Sequence, residues 1–109
     1  MCDFNNLCAD EQGFILRCKS CGHYQVGFCN VMFSLNKTDF EKLSIMITDL
    51  SQKDFQDKQT NARHLVIPTP YYGVNLLLCQ DEILQLKALI TKAEEEELAG
   101  AMLALFSDN

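Results

Sequence analysis

Apolar positions along this chain fall into short alternating runs and longer stripes of helical spacing, and these two periods set out the expected elements. Phe14-Ile15-Leu16-Arg17-Cys18 and Tyr24-Gln25-Val26-Gly27-Phe28 flank the polar stretch Lys19 to His23, which predicts a β-hairpin. Asp10-Glu11-Gln12-Gly13 is an earlier turn signal, so Phe4 to Cys8 is expected to form a strand antiparallel to the one starting at Phe14. A second hairpin is expected where His64-Leu65-Val66-Ile67 passes through Pro68-Thr69-Pro70-Tyr71-Tyr72-Gly73 and returns as Val74 to Leu78. Tyr24, Val26 and Phe28 are apolar on one phase and Val31, Phe33 and Leu35 on the other. The inward face therefore switches near Cys29-Asn30, through a β-bulge or a stretch buried on both sides.

Two helices follow from the longer period. The first is expected from about Lys37 to Leu50, with Phe40, Leu43, Met46, Ile47 and Leu50 on one face. The second starts near Gln80 and presents Ile83, Leu86, Leu89, Ile90 and Ala93. Asn36 and Cys79 take the cap positions, with Asp39 and Glu82 in the reciprocal third place. Ser51 to Asn61 is polar and lacks Gly and Pro, as a helix extension or a linker would. Glu94-Glu95-Glu96-Glu97 reads as a solvated face, after which Leu98, Ala101, Met102 and Leu105 resume helical spacing with Gly100 as a break point. That last stripe either covers the domain's own core or docks on a second subunit.

Shifting the sequence by 43 residues lays Val31 to Asn36 on Val74 to Cys79, Asp39 on Glu82, Phe40 on Ile83, Leu43 on Leu86 and Ile47 on Ile90. Strand, cap and helical stripe recur in one order, so the expected fold is α+β. It consists of two hairpin-plus-helix units within one domain spanning 1–109: a Cys-rich ββα unit over 1–50 and a second over 62–106, their antiparallel sheet packed against two helices.

Bulk composition narrows the function. With 15 acidic and nine basic residues the net charge is −6, and the cations are scattered, which disfavours nucleic acid and anionic membranes as partners. The start Met1-Cys2-Asp3-Phe4-Asn5-Asn6 lacks the basic and apolar features of a secretory signal, so a soluble, cytoplasmic protein is expected. In that compartment the six cysteines are expected to stay reduced and to serve metal binding or plain burial.

Cys18-Lys19-Ser20-Cys21-Gly22 carries the chemistry: two thiols two residues apart before a glycine present two thiolates to one zinc ion from a single turn, in the manner of a zinc-ribbon knuckle. A hairpin turning at Glu11-Gln12 pairs residues whose numbers sum to 22 or 23, which brings Cys2 beside Ser20 or Cys21. Cys8 then lies about 20 Å from the knuckle, six strand residues away, and Cys29 fails by the same distance. The last two are expected near each other as buried small side chains. Cys2, Cys18 and Cys21 are thus the candidate thiolate ligands of a structural zinc ion. His23 is the fourth by sequence proximity, and His64 the alternative from the second unit.

Other chemistry is weaker. Strand-like Gly22-His23-Tyr24-Gln25-Val26 follows Cys21, so the helix dipole that activates thioredoxin-type thiols is missing. Cys79, at a helix start, is the more reactive thiol or else a small buried cap residue. Tyr71 and Tyr72 are expected to pack across their own hairpin. Phosphate-cradling Gly loops, Gly-x-Ser-x-Gly and His-Glu-x-x-His are all absent from the sequence.

Cys18-x-x-Cys21, the strand ending Phe28-Cys29-Asn30, Leu35-Asn36-x-x-Asp39-Phe40-x-x-Leu43 and its echo Leu78-Cys79-x-x-Glu82-Ile83-x-x-Leu86 together resemble a family of short bacterial proteins known only as a domain of unknown function. The resemblance covers most of the chain and implies an architecture but no activity. Family caps look like serine, where this chain has Asn36 and Cys79. The expected function is that of a small binding or regulatory module with a structural zinc, acting on an unknown protein partner or as a homodimer. The alternatives are a small thiol- or zinc-dependent enzyme using Cys18, Cys21 or Cys79, and a structural dimerising domain.

Overall fold

The computed structural model describes residues 3–53 and 62–106 of the chain. Four strands form an antiparallel meander in chain order: β1 (Phe4–Ala9), β2 (Gly13–Cys18), β3 (Tyr24–Phe28) and β4 (Val31–Leu35). Helix α1 (Lys37–Gln52) follows; then a two-stranded antiparallel sheet, β5 (Leu65–Pro68) with β6 (Asn75–Leu78), leads into α2 (Gln80–Phe106). The fold is α+β, and hairpin followed by helix occurs twice. The two helices begin 43 residues apart, at Lys37 and Gln80, as the sequence offset requires.

The β1–β2 turn is built by Asp10, whose Oδ1 accepts the N–H groups of Gln12 (2.7 Å) and Gly13 (3.1 Å). Such a side chain bonded to its own turn fixes the reversal at Glu11-Gln12. Paired residues sum to 22 from Phe4↔Cys18 to Asn6↔Leu16 and to 23 from Cys8↔Ile15 to Ala9↔Phe14. Both expected registers occur because the pairing shifts between Asn6 and Cys8, leaving Leu7 as the extra, buried residue. Gly13 is required here: a Cβ would lie 2.0 Å from the carbonyl oxygen of Gly27 on β3.

The phase change near Cys29-Asn30 is neither a bulge nor a doubly buried strand. Phe28 pairs with Val31, so these two residues form the tight β3–β4 turn, and Cys29 takes φ +56° to make it. A positive φ at a two-residue hairpin turn matches the twist of the flanking strands, and the reversal accounts for the change of inward face.

Helix α1 starts at Asn36, whose Oδ1 accepts the Asp39 N–H at 2.7 Å. It buries Phe40, Leu43 and Ile47, with Met46 and Leu50 packed at the margin. Helix α2 buries Ile83, Leu86, Leu89, Ile90 and Ala93 against β1, β2 and α1. Each large side chain so buried contributes about 1.5–3 kcal/mol. Gly100 does not break α2: the helix runs through it to Phe106, because Ala, Leu, Met and Glu around it are strong helix formers and one glycine costs only about 1 kcal/mol. At 1.5 Å per residue α2 is about 40 Å long. Of the linker stretch Ser51 to Asn61, residues 51–52 extend α1 and 54–61 lie outside the described residues. No helix among the described residues is long and apolar enough to cross a membrane.

Candidate functional site

Strand β2 delivers Cys18, buried, to one end of the sheet. The chain then reverses tightly: Cys18 N–H donates to the His23 carbonyl (2.8 Å), and Gly22 N–H donates to the Cys18 carbonyl (2.9 Å). Gly22 sits at φ +77°, a conformation that a side chain would strain. Within this turn the Cys21 N–H donates to Cys18 Sγ at 3.4 Å. A backbone N–H donating to sulfur is the kind of outer-shell bond that orients a ligating cysteine. The Cys18-x-x-Cys21 segment is therefore a folded turn with Cys18 inward and Cys21 and His23 exposed.

Cys2 lies outside the described residues, and its neighbour Asp3 is the informative one. The Lys19 N–H donates to the Asp3 carbonyl at 2.8 Å, so the start of the chain is bonded to the middle of the knuckle. Among the described residues no three His, Cys, Asp or Glu side chains come close enough to hold a metal ion. His64 is remote from the knuckle. Its Nδ1 lies 2.9 Å from the Ala62 carbonyl, and the preceding Arg63 bonds Glu82 in the first turn of α2. The knuckle faces Glu97, fifteen residues and about 22 Å further along that helix.

Beside the knuckle is a cavity of about 450 Å³ lined by Asn5, Leu7, Arg17, Cys18, Lys19 and Gly22 and, from α2, by Glu96, Glu97, Gly100 and Ala101. Glu97 is half-buried and pairs with Arg17, while Tyr24 O–H donates to its Oε1 at 2.8 Å. The Arg17 guanidinium also lies 5.0 Å from the Tyr24 ring centroid, and that ring stacks on Phe40 at 4.0 Å. Burial, with the Glu97 carboxylate beside it, pushes the Tyr24 phenol up to about 12. The glutamate run is thus not wholly a solvated face: Glu97 holds α2 to β2 and β3, and Glu94 accepts the Ser44 hydroxyl at 3.0 Å. Helical spacing explains the difference, since Glu94 and Glu97 lie three apart on the side of Ile90 and Ala93.

A second polar cluster lies at the other end of α2. Cys79 N–H donates to Glu82 Oε1 at 2.9 Å, the reciprocal half of the predicted cap. Arg63 grips the same carboxylate through Nε (3.0 Å) and Nη2 (2.7 Å), and Cys29 Sγ donates to Oε2 at 3.3 Å. Arg63 above all, assisted by the Cys79 N–H and against the opposing effect of burial, holds the Glu82 carboxyl down at about 2. Burial and the adjacent Glu82 push the Cys29 thiol up, which keeps it protonated and weakly nucleophilic.

Cys29 is accordingly not a buried neighbour of Cys8. It is exposed at its turn, bonded through its thiol to Glu82, whereas Cys8 Sγ donates to the Leu89 carbonyl at 3.2 Å, seven residues or about 10 Å along α2. Cys79 is buried, as a small cap residue would be. The sequence pattern marks Glu82 as a cap but carries no signal for Arg63 or Cys29, because both reach it from other elements.

Between α1 and the second hairpin runs a groove of about 330 Å³ with apolar walls from Phe33, Leu35, Leu43, Met46, Pro68, Pro70 and Leu76 and with Asp39 and Lys42 at its edge. Tyr71 O–H donates to the Ser34 carbonyl and ties that hairpin to β4. Tyr72 is fully exposed, contrary to the expected cross-hairpin packing, and it precedes Gly73, which takes φ +73° in the turn.

A family model described as "Family of unknown function (DUF6686)" matches residues 1–106. Neither a curated protein nor a solved structure matches the chain.

Proposed function

We propose that this chain, which belongs to the family of unknown function DUF6686, is a small cytoplasmic binding or regulatory module. One structural zinc ion staples the knuckle end, held by Cys2, Cys18 and Cys21 with His23 as fourth ligand. The observation that carries this reading is the Cys21 N–H bond to Cys18 Sγ inside a turn whose Lys19 is also bonded to Asp3. Cα atoms of neighbouring residues are about 3.8 Å apart, so the bond at Asp3 limits how far Cys2 can stray from the two knuckle sulfurs. The role of the ion is structural. It clamps the edge strand β1 to the β2–β3 loop.

The apolar groove between α1 and the second hairpin suits binding. Its walls would hold an apolar segment, and Asp39 and Lys42 at the edge would set orientation.

Metal analysis of the full-length chain, purified without added zinc, tests the reading. One zinc per chain is expected, bound more weakly in Cys2→Ser and lost in Cys18→Ser. Hydrogen exchange after chelation should accelerate in β1 and β2 while α2 keeps its protection. Metal-free protein with unchanged exchange in β1 on adding zinc overturns the proposal.

A further inference from the structure

The end of α2 inverts the rule that organises the rest of the helix. At about 100° per residue, the face that carries Leu86, Ile90 and Ala93 into the core continues as Glu97, Gly100, Ala101 and Ala104. The opposite face carries Leu98, Met102, Leu103, Leu105 and Phe106, which are 63, 51, 68, 78 and 83 % exposed. Large apolar side chains therefore point away from the body of the protein, and the expected alternative that this stripe covers the chain's own core does not hold. Nine consecutive residues, Leu98 to Phe106, carry no charge in a chain of net charge −6. An uncharged helical segment apolar on its outward face is a surface that burial against a partner stabilises.

We infer that this face is a homodimer interface, in which residues 98–106 of two copies pack antiparallel across a two-fold axis near Met102. Three observations select a second copy in this orientation. The area suffices: five side chains so exposed present on the order of 600 Å² per copy, or about 1,200 Å² for a pair, the lower edge of specific interfaces. The face is self-complementary: with Met102 on the axis, Leu98 of each copy meets Phe106 of the other, as an isologous contact requires. Charge chooses the direction: a parallel pair would set the four acids Glu94 to Glu97 of both copies side by side, whereas the antiparallel pair carries each acidic run past Phe106 of the facing helix, where the sequence has a single acid, Asp108. The interface lies outside the zinc reading and does not depend on it.

Sedimentation equilibrium of the full-length chain tests the inference. The wild type is expected at twice the mass of one chain. Met102→Glu places two carboxylates together on the axis and is expected to weaken association about a hundredfold or more. Met102 is exposed, so the variant should keep its helical circular dichroism. Ile45→Glu, at an exposed apolar position on α1, should remain dimeric. Leu98→Glu and Phe106→Lys, each impaired alone, are expected to form a dimer when mixed, since the antiparallel pairing brings positions 98 and 106 together. A monomeric wild type, a dimer indifferent to Met102→Glu, or an unrescued mixture overturns the inference. So does a monomer that co-sediments with phosphatidylcholine vesicles and loses that property in Met102→Glu, which would assign the face to lipid.

Discussion

Replacing Glu82 with Gln is the most informative single change to the body of the fold. The amide keeps the volume of the side chain and an oxygen for the Cys79 N–H, and replaces the charged oxygen that accepts from Arg63 Nη2 and Cys29 Sγ with an NH2 group. Holding a carboxyl at about 2 rather than its ordinary 4.5 corresponds to about 3 kcal/mol in favour of the ionised form. Arg63 is open to solvent, with its side chain 59 % exposed, so screening reduces the expected loss in Glu82→Gln to about 1–2 kcal/mol. The sign follows from the folded value lying below the unfolded one. The stabilisation is fully present above about pH 4.5 and fades as the pH falls toward 2. The chain has no Trp, so urea unfolding followed by far-ultraviolet circular dichroism at pH 7, 4 and 2.5 is the suitable assay. Wild type and variant should differ at pH 7, and by pH 2.5 the gap should have shrunk to a small fraction of that. Equal stability at pH 7, or a gap that persists unchanged to pH 2.5, would refute the assignment of the ion pair.

Other substitutions probe the packing. Leu86→Ala opens a cavity at a fully buried site between α2 and the sheet and should cost 2–5 kcal/mol in the same unfolding assay. Gly13→Ala forces a Cβ onto the Gly27 carbonyl and should either unfold the β1–β2–β3 region or shift the register of β2, visible as lost amide protection there. Gly100→Ala meets open space inside a helix and should raise thermal stability slightly, by up to about 1 kcal/mol, with more helical signal; a loss of stability would mean that residue 100 is packed against something.

Local chemistry explains what the sequence made legible. The strands, both helix starts, the 43-residue echo and the β1–β2 register follow from period, capping and a turn built by one Asp. Each of these is decided by residues close in sequence. The Cys29-Asn30 reversal was hidden because neither residue is glycine, and the positive φ falls on a cysteine anchored by a thiol bond to Glu82 on α2. Arg63, Glu97 and the outward turn of Leu98 to Phe106 were hidden for the same reason. Their roles depend on which face of α2 meets the sheet and where the body ends beneath it. Of the candidate metal ligands, Cys18 and Cys21 share one turn, His23 stands in the same loop, and Cys2 lies outside the described residues.

X-ray absorption at the zinc edge of the purified full-length chain counts the ligands at the ion itself. Three sulfurs at about 2.3 Å and one nitrogen at about 2.0 Å are expected, falling to two sulfurs in Cys2→Ser. A six-coordinate oxygen and nitrogen shell, or a spectrum unchanged by Cys2→Ser, would contradict a knuckle closed by the start of the chain.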